Sequence, residues 1–373
     1  MEYITYKMIE ISKLNSGGDR PKIYSDTKTN ECCFPIFSNG LQDEGLYGYT
    51  NKATMPSDTI TVSARGANIG EVFYRKEDFL PIVRLITIIP DSNYVHSKYL
   101  YYYLKKVKIE GSGSAQPQIT VPFFSRHKIV IPKDVEYQKK VADNLSIYDN
   151  LIENNNKRIK LLEQMAENLY KEWFVRFRFP AYESVEFVGT LPIGWQYQPI
   201  SESMDFFDSQ RVPLSSMQRD EMEKIYPYYG AAKLMDYVDD YLFDGEYLLL
   251  GEDGTVVTTD GFPVLQLVND KFWVNNHAHV IRGKGNISTR FLYLTFCRFP
   301  ITGVVTGSAQ PKISKGRLEK LKILVPDAIT MEHFNNLINP MFDEINVLKK
   351  QLIRITKLRD LLLPRLMSGK LEV

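Results

Sequence analysis

The chain has 373 residues, of which 44% are hydrophobic and 24% are charged, so it is neither disordered nor fibrous and is too long for one ordinary domain. No run approaches the ~20 apolar residues of a membrane span, and the N-terminus lacks the pattern of a secretory signal. The three cysteines, Cys32, Cys33 and Cys297, form no CxxC pair. This usage argues against structural zinc and favours a reducing compartment. The composition therefore predicts a cytoplasmic, multidomain protein with no membrane partner.

The net charge of +1 hides a segregation of charge in the second half of the sequence. Asp236 to Asp270 contains nine acidic residues and no Lys or Arg, whereas Arg282 to Lys322 contains nine basic residues and one acid, Glu319. Such a basic run would allow one face to follow nucleic-acid phosphates. Chance variation of a solvated surface would give the same pattern.

In chain order, strands are predicted before helices in the first part of the sequence. Asp58-Thr-Ile-Thr-Val-Ser63 and Ile82–Pro90 are β-branched or apolar segments between turn residues, which is typical of strands. A short aromatic helix is predicted at Lys98–Lys106, and the loop Gly113-Ser-Ala-Gln-Pro117 follows it. A β-branched strand ending at Pro132 then leads into a long helix.

That long helix has apolar residues at steps of three and four, which is the a/d spacing of a coiled coil. Its predicted seam positions are Leu145, Tyr148, Ile152, Asn155, Ile159, Leu162, Ala166, Leu169 and Trp173. A narrow seam held over about four heptads predicts a partner helix, because a helix on a globular core usually has a wider apolar stripe. From Leu145 to Trp173 is about 42 Å at ~1.5 Å per residue, which exceeds one turn of DNA at ~34–36 Å.

The same order of elements then occurs a second time. Gly307-Ser-Ala-Gln-Pro311 repeats the first loop, and Lys322-Ile-Leu-Val-Pro326 repeats Lys128-Ile-Val-Ile-Pro132. A period of about 190 residues indicates a domain duplication and not a solenoid. The second long helix has its own seam at Phe334, Ile338, Met341, Ile345, Leu348, Leu352, Ile355, Arg359, Leu362 and Leu366. Polar Asn155 and Arg359 would fix the register of the pair or mark places where the seam is open to water or to a third helix.

The sequence therefore predicts an α+β fold with an internal duplication. Two strand-rich domains, residues 1–135 and 180–327, are each followed by a helical segment, residues 136–179 and 328–373. The two long helices are predicted to pair as an antiparallel coiled coil, which would act as a rigid spacer between the domains.

No catalytic or metal motif is evident. The sequence has no GxGxxG after a strand, GxxxxGK[ST], HExxH, GxSxG or Asn/Asp-Pro-Pro-aromatic segment. His277 and His279 are two residues apart on a predicted strand and so should share a face, but no further metal ligands can be assigned. The acidic pair Glu252-Asp253 has Ala64-Arg65 in its place in the first copy, so a duplicated carboxylate site is not retained.

Candidate DNA-binding residues fall into three groups. The repeated loops supply hydrogen-bonding side chains beside glycine, which suit a phosphate clamp or equally a turn needed for folding. The segments in which the copies differ are candidates for reading bases, because a loop identical in both copies cannot read two sequences. The basic run supplies candidate phosphate ligands. In chain order the candidates are Arg65, Asn68, Ser114, Gln116, Gln118, Asn275, Asn276, His277, His279, Ser308, Gln310, Lys312, Lys315 and Arg317.

Over nearly its whole length the sequence resembles the specificity (S) subunit of type I restriction–modification systems, the HsdS family. The resemblance rests on Leu169-Tyr-Lys-Glu-Trp-Phe-Val-Arg-Phe177, Leu191-Pro-Ile-Gly-Trp195, Leu361-Leu-Leu-Pro-Arg-Leu-Met-Ser-Gly369, the paired loops and the duplication. It implies two target-recognition domains, each reading half of a split double-stranded DNA sequence. It further implies docking of two methyltransferase subunits and, in the full complex, restriction subunits.

The resemblance also implies that this subunit is not an enzyme and holds no catalytic residue, metal or cofactor. S-adenosylmethionine, ATP and Mg would then be bound by the partner subunits. An orphan or phage-encoded DNA-binding adapter would share every motif named above. A stand-alone DNA methyltransferase or nuclease is the alternative of another class, and the absence of cofactor and carboxylate motifs counts against it.

Overall fold

The computed structural model describes residues 2–107, 109, 111, 117–307 and 310–371. The chain divides into two compact units. Unit 1 contains Met1–Asn154 with Leu352–Val373, and unit 2 contains Asn155–Gln351. Each long helix thus contributes one part to each unit. No helix in the described part of the chain has the length and apolarity that crossing a membrane requires.

The elements of unit 1 confirm the predicted order of strands, short helix, strand and long helix. Its strands are Tyr3–Lys7 (β1), Ser12–Ser16 (β2), Phe34–Phe37 (β3), Leu46–Thr50 (β4), Thr59–Ser63 (β5), Val72–Arg75 (β6), Leu80–Pro81 (β7), Leu85–Pro90 (β8) and Lys128–Pro132 (β9). Its helices are Met8–Ile11 (α1), Ser97–Lys106 (α2) and Val121–Ser125 (α3), with the start of Val135–Tyr170 (α4) and a 3-10 turn at Gln42–Gly45.

The sheets of unit 1 are built around the β-branched strand β5. An antiparallel sheet has the order β2-β8-β5-β6, and β5 is buried along its whole length, as a β-branched run between covered sheet faces should be. A second sheet has the order β4-β3-β7, in which β3 and β7 are parallel. Strands β1 and β9 form a separate antiparallel pair.

Unit 2 repeats this arrangement and adds short elements. Its strands are Phe187–Val188 (β10), Leu191–Pro192 (β11), Gln196–Pro199 (β12), Met204–Phe206 (β13), Tyr226–Tyr229 (β14), Leu234–Val238 (β15), Phe243–Asp244 (β16), Tyr247–Gly251 (β17), Leu265–Val268 (β18), Lys271–Val274 (β19), Ala278–Gly283 (β20), Val305–Thr306 (β21), Lys312–Ile313 (β22) and Lys322–Val325 (β23). Its helices are Ile200–Ser203 (α5), Ser216–Asp220 (α6), Thr289–Phe296 (α7), Lys315–Leu318 (α8) and part of Ala328–Met367 (α9). Helix α4 continues here as a π-helical turn at Lys171–Val175, and 3-10 turns lie at Tyr182–Ser184, Asp208–Gln210 and Thr302–Val304.

The main sheets of unit 2 have the same strand order as those of unit 1, with one extra strand, β16, at the edge of the second sheet. The order β13-β20-β17-β18 matches β2-β8-β5-β6, and β12-β23 matches β1-β9. The sheet β15-β14-β19-β16 again contains one parallel pair, β14 with β19. The duplication predicted from the repeated loops is therefore confirmed in the topology as well as in the sequence.

An aspartate begins each long helix. The N–H of Glu136 donates to Oδ1 of Asp134 at 2.9 Å, and the N–H of Thr330 donates to Oδ1 of Asp327 at 3.0 Å. These carboxylates satisfy N–H groups that have no partner within the helix and favour the positive end of its dipole. The cap fixes the point at which each helix leaves the strand before it.

Within each unit the two long helices run antiparallel. In unit 2, Asn155 Nδ2 donates to Gln351 Oε1 at 3.2 Å, and the Trp173 ring lies 5.5 Å from the Phe334 ring. In unit 1, Leu366 is buried in the same hydrophobic core as Leu145. Every predicted seam position of both helices is buried or half-buried, so the coiled-coil prediction is confirmed.

Two of the segments that carry the family resemblance, Leu169–Phe177 and Leu191–Trp195, contribute to one aromatic cluster in unit 2. The ring of Phe174 lies 4.7 Å from Phe334, 5.2 Å from Phe291 and 5.6 Å from Trp195. Aromatic rings at these separations add edge-to-face attraction to their large buried area. The aromatic residues that follow α4 therefore pack against other aromatic rings within unit 2.

Candidate nucleic-acid interface

In unit 1 the loop after β5 lies directly against residues 117–119, which end the repeated loop and follow it. Arg65 and Gln118 form an isolated antiparallel bridge, and the N–H of Ile119 donates to the Ala64 carbonyl at 2.9 Å. Asn39, which the sequence analysis did not single out, donates through Nδ2 to the Arg65 carbonyl at 2.9 Å. The backbone around Arg65 is therefore held from two sides while its side chain is exposed.

Unit 2 contains the same backbone arrangement with different side chains. Asp253 and Lys312 form the corresponding bridge, and the N–H of Ile313 donates to the Glu252 carbonyl at 2.7 Å. The N–H of Gly254 also donates to the Pro311 carbonyl at 3.0 Å. Each unit thus presents a pair of adjacent loops, which we call the paired loops: residues 64–68 with 117–119 in unit 1, and residues 252–256 with 310–313 in unit 2.

Several candidate side chains lie on or beside the paired loops. Asn68 is half-buried and donates to the Asn39 carbonyl at 3.0 Å, and Gln118 is half-buried. In unit 2 the exposed candidates are Asn276, His277, Gln310, Lys312, Lys315 and Arg317. Ser114, Gln116 and Ser308 lie outside the described residues. The structure therefore brings together loops that the sequence separates by about 50 residues in each copy.

Asn275 and His279 are buried, at 4% and 1% exposure. Asn275 Oδ1 accepts from the His277 N–H at 2.9 Å and so closes a turn. Strand β20 begins only at Ala278, so the prediction that His277 and His279 share a strand face is wrong. A tight turn intervenes, which leaves His277 at the surface and directs His279 into the unit.

A polar network lies beneath the paired loops of unit 2. Arg211 Nη1 donates to Glu252 Oε2 at 2.7 Å and to the Ala278 carbonyl at 2.6 Å. His279 Nδ1 lies 2.7 Å from Asp208 Oδ2. Burial alone would raise the pKa of the Asp208 carboxyl, but hydrogen bonds from His279 and the Val280 N–H hold that pKa below its ordinary value.

The same network has the residue types of a metal site. One ligand atom each from Asp208, Glu252 and His279 lies within 4.8 Å of the others. The guanidinium of Arg211 already pairs with both carboxylates, Lys312 pairs with Glu252, and both ring nitrogens of His279 are engaged with oxygen acceptors. The network is therefore better suited to holding loops together than to binding a cation.

The exposed basic side chains beside the paired loops differ between the units. Lys312 lies on β22, while Lys315 and Arg317 lie on α8. Lys312 Nζ is 3.4 Å from Glu252 Oε1, and Lys315 Nζ lies 4.9 Å from the centre of the Phe206 ring. The matching helix of unit 1, α3, has the sequence VPFFS and carries no charge. At the repeat offset, Lys312, Lys315 and Arg317 thus correspond to the uncharged residues Gln118, Val121 and Phe123 of unit 1.

Comparison with known proteins places these features in a family. The sequence profile of the type I restriction modification DNA specificity domain matches residues 2–164 and residues 192–347. The Type I restriction enzyme MjaIX specificity subunit of Methanocaldococcus jannaschii is 29% identical over 346 residues, which cover 85% of this chain and 78% of that protein. A putative type I specificity subunit of Mycoplasma pneumoniae is 36% identical over 138 residues, covering 37% of this chain and 40% of that protein.

A solved structure has the same fold. The crystal structure of a type I restriction–modification system S subunit from M. genitalium matches with a TM-score of 0.68 at 17% identity, over 98% of this chain and 96% of that chain. Two α+β copies that each match a DNA specificity domain define a DNA-specificity protein. The chain belongs to the family of type I restriction–modification specificity (S) subunits.

Proposed function

We propose that this S subunit reads a bipartite, asymmetric target in double-stranded DNA and does no chemistry itself. The observation that carries the proposal is the pair of matching loop arrangements, built on the same backbone hydrogen bond in each unit. The same backbone arrangement with different side chains suits two units that recognise different DNA sequences, because base identity is read by side-chain donors and acceptors.

The side chains available for reading differ in kind between the units. Arg65 in unit 1 is exposed and has the paired donors that match guanine O6 and N7. In unit 2, Asn276, His277 and Gln310 are exposed, and amides are suited to adenine edges. Asn275 and His279 are buried, so we assign them to supporting the loop and not to touching a base.

Lys312, Lys315 and Arg317 are proposed to hold phosphates. They are exposed and lie on two consecutive elements, β22 and α8. Exposed Lys and Arg neutralise phosphates and release counterions without regard to sequence. Unit 2 would then contribute more of the sequence-independent affinity than unit 1.

The paired long helices are proposed to fix the unread spacer and to dock two methyltransferase subunits. Ile147 and Leu151 on α4, with Ile353 and Leu361 on α9, are exposed in unit 1. Apolar residues on an outer helix face are typical of a surface that another protein covers. Restriction subunits would join the full complex, and the partners would bind S-adenosylmethionine, ATP and Mg.

The test is selection of DNA sequences bound by the full chain from a randomised duplex library, alone and with its methyltransferase subunits. The proposal predicts two short specified elements of different sequence separated by unspecified base pairs. Arg65→Ala should relax the first element only, at a cost of about 1–3 kcal/mol. Lys140→Ala, an exposed charge on α4, is the control and should change neither element. A single continuous element would contradict the proposal.

A further inference from the structure

A long loop, residues 38–45, joins β3 to β4 in unit 1, and we call it the hairpin loop and its residues 41–44 the tip. We propose that the hairpin loop is a further base-reading element of unit 1, in which Gln42 and Asp43 meet base edges. Arg75, buried beneath the tip, is the positioning residue that holds it. The inference rests on the proposed function, because it adds a segment to the surface that reads the first half-site.

Two hydrogen bonds fasten the hairpin loop to the paired loops of unit 1. Asn39 Nδ2 donates to the Arg65 carbonyl at 2.9 Å, and Asn68 Nδ2 donates to the Asn39 carbonyl at 3.0 Å. Gln42 is three residues beyond Asn39, so the Cα atoms of these two residues are at most about 11 Å apart. That distance spans about three base pairs at ~3.4 Å each. The tip can therefore reach base pairs that adjoin one contacted by Arg65.

The hairpin loop is four residues longer than its counterpart in unit 2. The Ser38 N–H donates to the Gly45 carbonyl at 2.8 Å, and the Gly230 N–H donates to the Lys233 carbonyl at 3.0 Å. The same hydrogen bond thus closes a loop of eight residues in one unit and of four in the other. The loop of unit 2 has the sequence Gly-Ala-Ala-Lys and offers no amide or carboxylate side chain. The extra length in unit 1 therefore adds such groups beside the paired loops.

The backbone of the tip is strained. Asp43 and Glu44 have φ angles of 46° and 55°, and both are followed by Gly45 at 83°. Two consecutive left-handed residues other than glycine are uncommon, because Cβ then approaches the following carbonyl oxygen. Such strain persists only where the surrounding structure holds it, and it is concentrated at sites that bind ligands. The tip is nevertheless open to solvent, since all four of its residues are exposed.

Arg75 provides the hold. Its side chain is 1% exposed, and Nη2 donates to the Glu44 carbonyl at 3.0 Å while Nε donates to Thr61 Oγ1 at 2.9 Å. The guanidinium lies 3.7 Å from the centre of the Phe37 ring. Nη1 is 3.9 Å from the exposed Glu44 carboxylate and makes no hydrogen bond within the described part of the chain. Burying a cation with incomplete pairing costs stability, and its bond to the strained tip gives the reason for keeping it.

In unit 2 the arginine is replaced together with the long loop. Arg75 on β6 pairs with Thr59 on β5, and the equivalent pair on β18 and β17 is Val268 with Tyr247. Valine has no donor that could hold a loop tip. The buried arginine thus accompanies the strained tip, as expected for a residue whose task is to position it.

The tip has the groups of a base reader and not those of a phosphate clamp. Its sequence, Leu-Gln-Asp-Glu, contains no lysine or arginine, and its carboxylates would be repelled by phosphates. A carboxylate can accept from the N4 amino group of cytosine, and an amide matches N6 and N7 of adenine. Asp43 is therefore assigned to a cytosine and Gln42 to an adenine of the first half-site.

The experiment selects DNA from a randomised duplex library with the full chain and its methyltransferase subunits, and compares variants of the tip. Gln42→Glu should change the preference at one base pair from adenine to cytosine, because a carboxylate can only accept. Asp43→Ala should lower discrimination at a neighbouring base pair by about tenfold, while affinity for scrambled DNA does not fall. Glu136→Ala, which removes an exposed acid of α4, is the control and should change neither preference.

Arg75→Met separates positioning from stability. Methionine fills much of the same space without a charge, and the Glu44 carboxylate that it leaves behind is exposed, so urea unfolding followed by circular dichroism should show no loss of stability. The tip loses its donor, so the base pairs assigned to Gln42 and Asp43 should relax while the one that depends on Arg65 is kept. Loss of folding, or equal relaxation at every position of the first half-site, would show that Arg75 only supports the fold.

Failure of this inference can be told apart from failure of the proposed function. If Arg65→Ala relaxes the first half-site but both tip variants leave it unchanged, the hairpin loop does not read bases and the proposed function stands. If the unmodified chain selects a single continuous element, the proposed function fails, and the tip variants still decide whether the hairpin loop reads bases. Hydrogen exchange of residues 38–45 should slow on binding the selected duplex, and an unchanged rate would overturn the inference.

Discussion

Arg359 Nη1 donates a hydrogen bond to Asp149 Oδ1 at 2.8 Å within unit 1. The other oxygen of Asp149 accepts from the Tyr102 hydroxyl at 2.7 Å. Arg359, a polar residue that interrupts the predicted seam, therefore has a charged partner. That partner, Asp149, also accepts a hydrogen bond from the aromatic helix α2. One carboxylate connects α4, α9 and α2, so the pair fixes helix register as well as charge.

Breaking this pair should destabilise unit 1. Arg359→Gln removes a charged hydrogen bond between side chains that are mostly buried, so we expect a loss of about 1–3 kcal/mol in the free energy of unfolding. Asp360 also contacts Arg359 but is 58% exposed, so Asp360→Ala should cost under about 0.5 kcal/mol. Urea unfolding monitored by circular dichroism and tyrosine fluorescence measures both, because all three tryptophans, Trp173, Trp195 and Trp273, lie in unit 2. Equal losses in the two variants would show that the pair is not what holds the register.

The end of the chain should be needed for the stability of its beginning. Leu366 is 5% exposed in the core of unit 1, so Leu366→Ala should cost about 2–5 kcal/mol through lost burial and a cavity. Leu361 lies on the same helix but is 53% exposed, so Leu361→Ala should change stability by under about 0.5 kcal/mol. Hydrogen exchange should show the loss of protection in strands β5 and β8. Loss confined to α9 would mean that this helix end is not part of the core of unit 1.

The length of the paired helices should set the number of unread base pairs. Inserting one heptad after Asn154 in α4 and one after Gln351 in α9 adds about 10.5 Å of helix at ~1.5 Å per residue. At ~3.4 Å per base pair the spacer should grow by about three base pairs. Insertion into α4 alone is the control, and it should reduce stability because the seams no longer match. An unchanged spacer in a double-insertion variant that still binds both half-sites would refute this role of the helices.

The basic residues beside the paired loops of unit 2 should set affinity and not sequence preference. Replacing Lys312, Lys315 and Arg317 by Ala should weaken binding to all duplexes alike. It should also reduce the slope of the salt dependence by about 0.9 for each phosphate that the variant no longer neutralises. Lys160→Ala, an exposed charge on α4, serves as the control. Filter binding over a range of salt concentrations measures the slope. A variant that loses preference at one base pair while keeping its salt slope would identify a base-reading role instead.

The architecture could be predicted because it is repeated and periodic. The two Gly-Ser-Ala-Gln-Pro loops revealed the duplication, and the spacing from Leu145 to Trp173 revealed the seam. The loop is a repeated motif and the helical spacing is a local pattern, so both can be found in a single sequence. Strand β5 was also predictable, since its residues are mostly β-branched and the segment is bounded by turn residues.

The supporting network of unit 2 could not be predicted. Asp208 and Arg211 are about 70 residues from His279 in sequence, belong to no motif and have no counterpart in the repeat. The assignment of His277 and His279 to one strand face failed because His277 belongs to the turn closed by Asn275, and β20 begins only at Ala278. Alternation along a strand predicts exposure only once the first residue of that strand is known.

Each unit is proposed to read its own half of the target. The most direct test exchanges residues 180–327 for the matching domain of another S subunit and determines the methylated sequence in cells that carry the methyltransferase subunits, by methylation-aware sequencing. We expect one half-site to change completely while the other half-site and the spacer length stay the same. A target in which both halves change, or a palindromic target for the unmodified chain, would contradict it.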